Sequence, residues 1–389
     1  MQLQHLWLNE FRSYASADLE LPPGLTAVMG RNGQGKSNLL EAIAYLASMR
    51  SFRGAPADAL VRVGSDRAVV RGQVVTDGRD HLVEAEIAPS GRNRVLLDRQ
   101  RLGRRRDLLE VVRVTVFAPD DLDLVKAGPA LRRSFLDDLL VSLHPRHDQV
   151  RSDWERALKQ RNALLKQIHG RPDESALVTL DVWDQKLASA GDELARLRNE
   201  LAERIAPTVS QAYRDVADDD LDVGLRYVAT WRGGSGVVGP GVGGSAGDDG
   251  PGGDRDAGGA AGGLAAALAA ARPDELRRGV TLVGPHRDDV ELTLRGLPAR
   301  THASQGEQRS LALALRLASH RVLLDTHGSP PVLLLDDVFS ELDPQRCAAL
   351  LRSLPAGQAV LSSASGLPEG IAVDLVLDVA DGAVVARDG

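Results

Sequence analysis

Lysine is nearly missing from this chain. Of its 47 lysine and arginine residues only Lys36, Lys126, Lys159, Lys166 and Lys186 are lysine, so each lysine invites a reason. Cysteine occurs once, at Cys347, which excludes an intramolecular disulfide and a thiolate-built metal cluster. It fits a reducing compartment, with the cytoplasm as the expected location. Aromatic residues make up 3%, too few for an extended base-stacking platform. Long apolar runs are absent, since PVLLLDDVF falls far short of a bilayer span. The start, MQLQHLWLNEFRSY, lacks the basic stretch and apolar run of a secretory leader. No membrane partner and no secretion are expected. Nor is there an excess of positive charge: 54 acidic residues against 47 basic ones give a net charge of −7. A nucleic-acid partner would have to meet a local basic face.

What is present is ordinary globular composition, 43% hydrophobic over 389 residues, arranged in blocks. Residues 1–118 read as short strands (LQHLWL, ADLEL, LTAVMG, AVVRGQVV, HLVEAEIA, NRVLLD, VVRVTVF) around one helix, SNLLEAIAYLASM. The strands after Arg67 predict an antiparallel sheet beside a nucleotide loop. Residues 119–228 turn helical. PALRRSFLDDLLVSL is followed by QVRSDWERALKQRNALLKQI and by a segment with Leu187, Ala190, Leu194, Leu197, Leu201 and Ile205 on one narrow stripe, together an antiparallel helical pair. Residues 229–263 are Gly-rich with almost no large apolar side chains, a composition expected to stay disordered. Residues 264–389 resume with RRGVTLVGPHRDDVELTL, read as strand, turn and strand. An apolar helix, SQGEQRSLALALRLASHRVLL, a buried acidic strand, PPVLLLDDVF, and closing strands QAVLSS and AVDLVLDV follow.

The lysine at position 36 has its reason in GRNGQGKS, which fits G-x-x-x-x-G-K-[ST] between a strand and a helix. Gly30 and Gly35 let the backbone wrap a phosphate, and Arg31, Asn32, Gly33 and Gln34 complete the loop whose N–H groups form an anion site. Lys36 reaches β- and γ-phosphates as a compact point charge, which the planar fork of arginine does poorly. Ser37 offers a hydroxyl to Mg²⁺, and Asp336, at the end of the buried strand, is its expected acidic partner. Asp337 follows as the group that polarises the attacking water. ATP with Mg²⁺ is the expected ligand set. His286 stands beside acids in GPHRDD without the spaced ligands of a zinc site, and Trp154 and Trp183 read as helix-pair core.

The fold predicted is α/β, a P-loop head with a mixed sheet and flanking helices plus a mostly helical second lobe. The order of phosphate loop, helical insertion, SQGEQ helix and acidic strand resembles the ATP-binding-cassette (ABC) ATPase head of transporters and chromosome-maintenance proteins. More specifically LNEFRSY, GRNGQGKSNLLEAIAYLASMRSFR, FAPDDLDLVKAGPALRRSFLD, GPHRDDV, ASQGEQRSLALALRLA and LLLDDVFSELD resemble the RecF family of recombination and repair ATPases. The resemblance implies that Ser304, Gln305, Gly306 and Glu307 form a signature acting in trans on nucleotide held by a second copy. It implies that Glu341, Leu342 and Asp343 form a dimer-contact loop. It further implies a homodimer on ATP, weak DNA-stimulated ATP hydrolysis, and binding to gapped DNA or junctions of single and double strands. With RecO and RecR, such a protein helps load RecA in repair, recombination, replication and the SOS response.

The chain departs from the transporter pattern in three places. Asp337 replaces glutamate, one methylene shorter. FAPDD carries no glutamine where the sheet enters the helical lobe. QAVLSSAS has no histidine, leaving Ser362 or Ser363 at the switch position. A transporter ATPase subunit and an ATP-gated DNA clamp with negligible turnover stand as alternatives. For DNA, GRNRVLLDRQRLGRRRD offers Arg92, Arg94, Arg99, Arg101, Arg104, Arg105 and Arg106, with Arg50, Arg53, Arg132 and Arg133 as further candidates.

Overall fold

The computed structural model describes residues 1–90, 93–168, 173–217, 219, 221–232, 263–364, 366–367 and 370–387, with Arg105, Ser340 and Glu341 described by backbone only. Almost all of the Gly-rich tract and Arg92 therefore lie outside the described residues. The chain forms two compact units, one of Met1–Asp148, Leu201–Arg226 and Glu291–Gly389, the other of Gln149–Glu200 and Tyr227–Val290.

The larger unit holds two six-stranded sheets. In the first, Gln2–Phe11 pairs antiparallel with Tyr14–Glu20 on one side and Ala68–Thr76 on the other, followed by Arg79–Ile87, Arg94–Leu97 and Gln100–Arg101. Leu6 and Leu8, with Val70, Val74, Val83, Ala85 and Ile87, bury one face, the period-2 pattern that half-buried strands require. In the second sheet Leu25–Met29, Ala359–Ser363, Val332–Asp336 and Val114–Phe117 run parallel in that spatial order. Leu375–Ala380 continues on the other side of Leu25–Met29, and Ala383–Ala386 closes as an antiparallel edge. Val332–Asp336 is buried at all five positions, as expected of a parallel strand covered on both faces.

Helix Lys36–Ser48 touches strands of both sheets, which explains why Leu39, Leu40, Ile43, Tyr45 and Leu46, on opposite sides of the helix, are all buried. Gln358 stitches the two sheets. Its amide accepts from Leu3 N at 2.8 Å and donates to Leu3 O at 2.7 Å and Pro22 O at 2.9 Å, satisfying backbone groups that neither ladder reaches.

Helix Pro129–Leu143 belongs to this larger unit, so the division falls after Asp148 and not at the 118/119 boundary read from the sequence. The physical reason is its packing against the apolar helix Gln305–His327. Arg316 lies 5.4 Å over the Phe135 ring, and His327 reaches Ser142 O at 3.1 Å.

In the smaller unit, helix His147–Gln167 runs antiparallel to the first part of Glu174–Ala217. Trp154 meets Leu187, Ala188 and Leu194, and Leu165 meets Leu180. A third helix, Leu264–Arg278, joins them through Leu264 and Leu268. Arg161 is fully buried among Asp184 at 2.6 Å, Glu275 at 2.7 Å and Thr281 at 2.8 Å. The expected strand at VTLV is absent. Thr281 N donates to Asn162 Oδ1 and Leu282 N to Glu275 Oε1, so side chains satisfy the backbone that a ladder would have used.

Candidate nucleotide-binding site

Strand Leu25–Met29 delivers the chain into the phosphate loop and helix Lys36–Ser48 leaves it. A Cβ at Gly30 (φ 153°) would collide with the Val379 carbonyl oxygen, and one at Gly35 (φ 120°) would come within 2.8 Å of Ser13 Oγ. Both positions therefore require glycine. Lys36, 6% exposed, curls back to donate to Gly30 O at 2.7 Å and Arg31 O at 3.1 Å. Its ammonium is held inside the loop, while Arg31, Asn32 and Gly33 remain exposed. Gln34 Oε1 accepts from Asp381 N at 2.6 Å, tying the loop to the C-terminal hairpin.

On the other side, the turn in NEFRSY braces the loop. Tyr14 OH donates to Gly35 O at 3.0 Å, and burial pushes its phenol pKa up, so it remains a neutral donor. Asn38 Nδ2 donates to Ser13 Oγ at 3.0 Å. Arg12 forms two 2.8 Å bonds to Glu41, whose side chain is fully buried in the helix behind the loop.

The acidic strand converges on the same place. Asp336 Oδ1 accepts from Ser37 Oγ at 2.8 Å and from Ser362 Oγ at 2.7 Å, and Ser362 Oγ accepts in turn from Asp337 N at 3.0 Å. Ser363 instead donates to Gly366 O. The serine on the strand between the loop and the acids is thus Ser362. Asp337 adopts a left-handed conformation, φ 50°, ψ 35°, which aspartate tolerates better than most residues. Asp336, Asp337 and Leu342 line a small cavity with Phe117, Pro119, Leu122 and Arg309. Among the described residues no cluster of three or more His, Cys, Asp and Glu side chains could hold a metal by itself. The hydroxyl of Ser37 and carboxylate of Asp336 supply two adjacent hard oxygens, which suits Mg²⁺ sharing its coordination with phosphate and water.

Ser304 caps helix Gln305–His327. Its Oγ accepts from Glu307 N at 3.3 Å, and Glu307 Oε2 accepts from Ser304 N at 2.7 Å, a reciprocal capping box. That backbone bond, with further help from the Ser304 hydroxyl and the ion pair to Arg295, holds the Glu307 carboxyl below the usual range. Ser304 and Gln305 are exposed. Asp343 caps the next helix, Pro344–Ser353, accepting from Arg346 N at 2.9 Å, while the Glu341 side chain lies outside what is described. FAPDD, where the sequence offers no glutamine, places Asp121 against Arg316 (3.0 and 2.5 Å) and Ala118 N (2.9 Å). This strand end is thereby fixed to helix Gln305–His327.

The model of the RecF/RecN/SMC N-terminal domain matches residues 2–360. The "DNA replication and repair protein RecF" of Pseudarthrobacter chlorophenolicus is 45% identical over 378 residues, covering 94% of each chain, and that of Frankia alni is 48% identical over 372 residues. The chain belongs to the RecF family. A solved structure of the recombination mediator protein RecF-ATPrS of the RecFOR pathway covers 100% of this chain and 98% of its own, at 28% identity and a TM-score of 0.84. An Smc head from Pyrococcus furiosus, at 16% identity and a TM-score of 0.54, shares the fold. The architecture is an ABC/SMC-type ATPase head.

The basic run spans the last two strands of the antiparallel sheet and the short 3₁₀ turn after them. Arg94 and Arg101 line a groove on the antiparallel sheet together with Arg71, Glu84 and Glu86. Arg71 pairs with Glu84 at 2.7 Å and Arg67 with Glu86 at 3.1 Å. Arg99 sits in a two-residue hairpin turn at φ 66°, and Arg104 is exposed beside the short 3₁₀ turn that holds Arg106. Arg132 is buried, donating to Leu124 O and Ala127 O, so it serves the fold of its own helix start. His286 stands against Trp154 at 5.8 Å and reaches Thr281 O, inside the smaller unit. The loop-bracing roles of Arg12, Ser13 and Tyr14 had only the run LNEFRSY as their signal in the sequence. Ser362 had only its position after an apolar strand.

Proposed function

We propose that this RecF-family chain is an ATP- and Mg²⁺-dependent DNA-binding protein of the cytoplasm that dimerises on ATP. The contact between Ser37 and Asp336, which joins the phosphate loop to the acidic strand, carries the reading. Lys36 exchanges its two carbonyl partners for the β- and γ-phosphates, and Ser37 and Asp336 would hold Mg²⁺, which would supply positive charge against that developing on the phosphates. Asp337 orients water for attack on the γ-phosphorus and accepts its proton as the bond to the bridging oxygen breaks. Ser304 to Glu307 of one copy meet the γ-phosphate held by the other, through a hydroxyl and helix N-terminal N–H groups. Hydrolysis removes the group that favours closure, so ATP acts as a population switch on DNA residence.

The bound DNA in this reading is a gap or a junction of single and double strands, and RecO and RecR are the partners through which RecA is loaded. The slow-clamp alternative keeps one specific support, the short side chain of Asp337 on its left-handed backbone. Binding to duplex, single-stranded and gapped DNA, measured with and without ATP, tests the proposal. Tighter binding to gapped DNA only with ATP, lost in Lys36→Met, is expected. Binding indifferent to nucleotide contradicts it.

A further inference from the structure

The signature glycine lies under an arginine. A Cβ built on Gly306 would overlap Arg346 Nη1 and stand 3.1 Å from Cζ and 3.2 Å from Nη2, so the guanidinium end occupies the space that a side chain at Gly306 would need. Arg346 is held there by Asp343, whose one carboxylate oxygen accepts from Arg346 N at 2.9 Å and the other from Nη1 at 3.1 Å. Asp343 stands seven positions after Asp336 in the chain. A buried carboxylate at the end of the acidic strand, the loop after it and the signature turn are therefore linked within one subunit. Glu307 of the same turn pairs with Arg295.

We infer that Arg346 is a positioning residue for the composite ATP site: it sets the signature turn of its own subunit for nucleotide bound by the second copy. The inference rests on the ATP-dimer reading above. The chemistry favours arginine. A planar, weakly hydrated guanidinium can lie flat on a glycine while pairing with a carboxylate, whereas an ammonium presents a compact, strongly hydrated charge. It also gives Gly306 a second reason. Any side chain there would push the guanidinium away, and because the far end of a flexible side chain is what moves, the fold itself tolerates the change.

The test compares Arg346→Ala, Arg346→Gln, Gly306→Ala and the double variant Gly306→Ala/Arg346→Ala. It uses three readouts on the full chain: ATP affinity at protein concentrations too low for dimers, ATP-driven dimerisation by sedimentation, and steady-state turnover. Asp343 keeps its cap on the Arg346 backbone in every variant, so thermal midpoints should stay close to that of the parent. Arg346→Ala should reduce turnover and dimerisation about 10-fold, within the range of 5–150-fold typical of coupling between sites, with ATP affinity of the single subunit unchanged. Arg346→Gln, planar but uncharged, should retain part of both. Gly306→Ala should imitate Arg346→Ala, and the double variant should be no worse than either. Losses that multiply in the double variant, or an Arg346→Ala chain equal to the parent in dimerisation and turnover, overturn the inference. If the unsubstituted chain fails to dimerise on ATP, the underlying reading fails and this inference falls with it.

Discussion

Ser37 and Asp336, 299 positions apart in the chain, meet at 2.8 Å, hydroxyl to carboxylate. One strand separates theirs in the sheet, and that strand contributes Ser362 to the same carboxylate oxygen at 2.7 Å. Three segments that share nothing in sequence thus place two hydroxyls and an acid at the mouth of the phosphate loop. Asp336→Asn should remove Mg²⁺-dependent turnover on the order of a hundredfold or more. Ser362→Ala should cost less, because it removes a neutral hydrogen bond and not a charge. Single-turnover ATP hydrolysis at several Mg²⁺ concentrations checks both.

Asp337→Asn separates switching from chemistry. Loss of a positioned general base lowers rates by roughly 10²–10⁴-fold, while the ATP-bound dimer should persist longer than that of the parent. Dimer lifetime after dilution, read by light scattering, distinguishes this from a variant that fails to bind ATP.

The glycine loop, the acidic strand and the capped helix Gln305–His327 were legible because each is a local pattern: glycine spacing, an apolar run ending in carboxylates, and Ser and Glu three apart. The bracing of the loop was not, because Tyr14 to Gly35, Arg12 to Glu41 and Gln34 to Asp381 join segments whose proximity depends on sheet order. The three parallel neighbours come from residues near 27, 361 and 334, an order that periodicity does not encode. VTLV read as a strand because its composition is apolar and β-branched. The amide of Asn162, 119 positions away, and the carboxylate of Glu275, on the helix just before, claimed its N–H groups instead.

Glu275→Ala should destabilise the smaller unit by about 3–5 kcal/mol, because it leaves the fully buried Arg161 with one fewer anionic partner. Trp154, Trp183 and Trp231 all belong to that unit, so denaturant unfolding followed by tryptophan fluorescence reports it. Glu275→Gln should cost less, since it retains an acceptor for the guanidinium.

His320 gives the larger unit an acid limit. Its imidazole is 1% exposed in helix Gln305–His327, with neither ring nitrogen hydrogen-bonded. Burial, helped by Arg321, pushes its pKa down to about 4. In the unfolded chain the group titrates near 6.5, so between pH 6.5 and 4 the unfolded state holds the extra proton and stability falls as pH falls. Above pH 6.5 this contribution is constant. The loss across the window is about 3 kcal/mol. His144 and His327, also lowered mainly by burial, act in the same direction. Thermal midpoints from pH 7 to pH 4 should decline less steeply in His320→Leu than in the parent.

Arginine on the antiparallel sheet offers a direct test of DNA contact. If Arg101 and Arg104 touch phosphates, replacing each by alanine should weaken binding to all sequences alike and reduce the salt slope by about 1. Titrations of gapped DNA between low and physiological salt read both effects.

The central claim, that one subunit completes the ATP site of the other, is tested most directly by mixing two defective chains. Lys36→Met lacks the phosphate-binding ammonium but keeps Ser304. Ser304→Arg spoils the signature but keeps the phosphate loop. Each alone should be inactive, and a mixture should regain ATP turnover, because the mixed dimer holds one intact pairing of Lys36 with Ser304 of the other copy. A mixture as inactive as its components, or full turnover by Ser304→Arg alone, would contradict it.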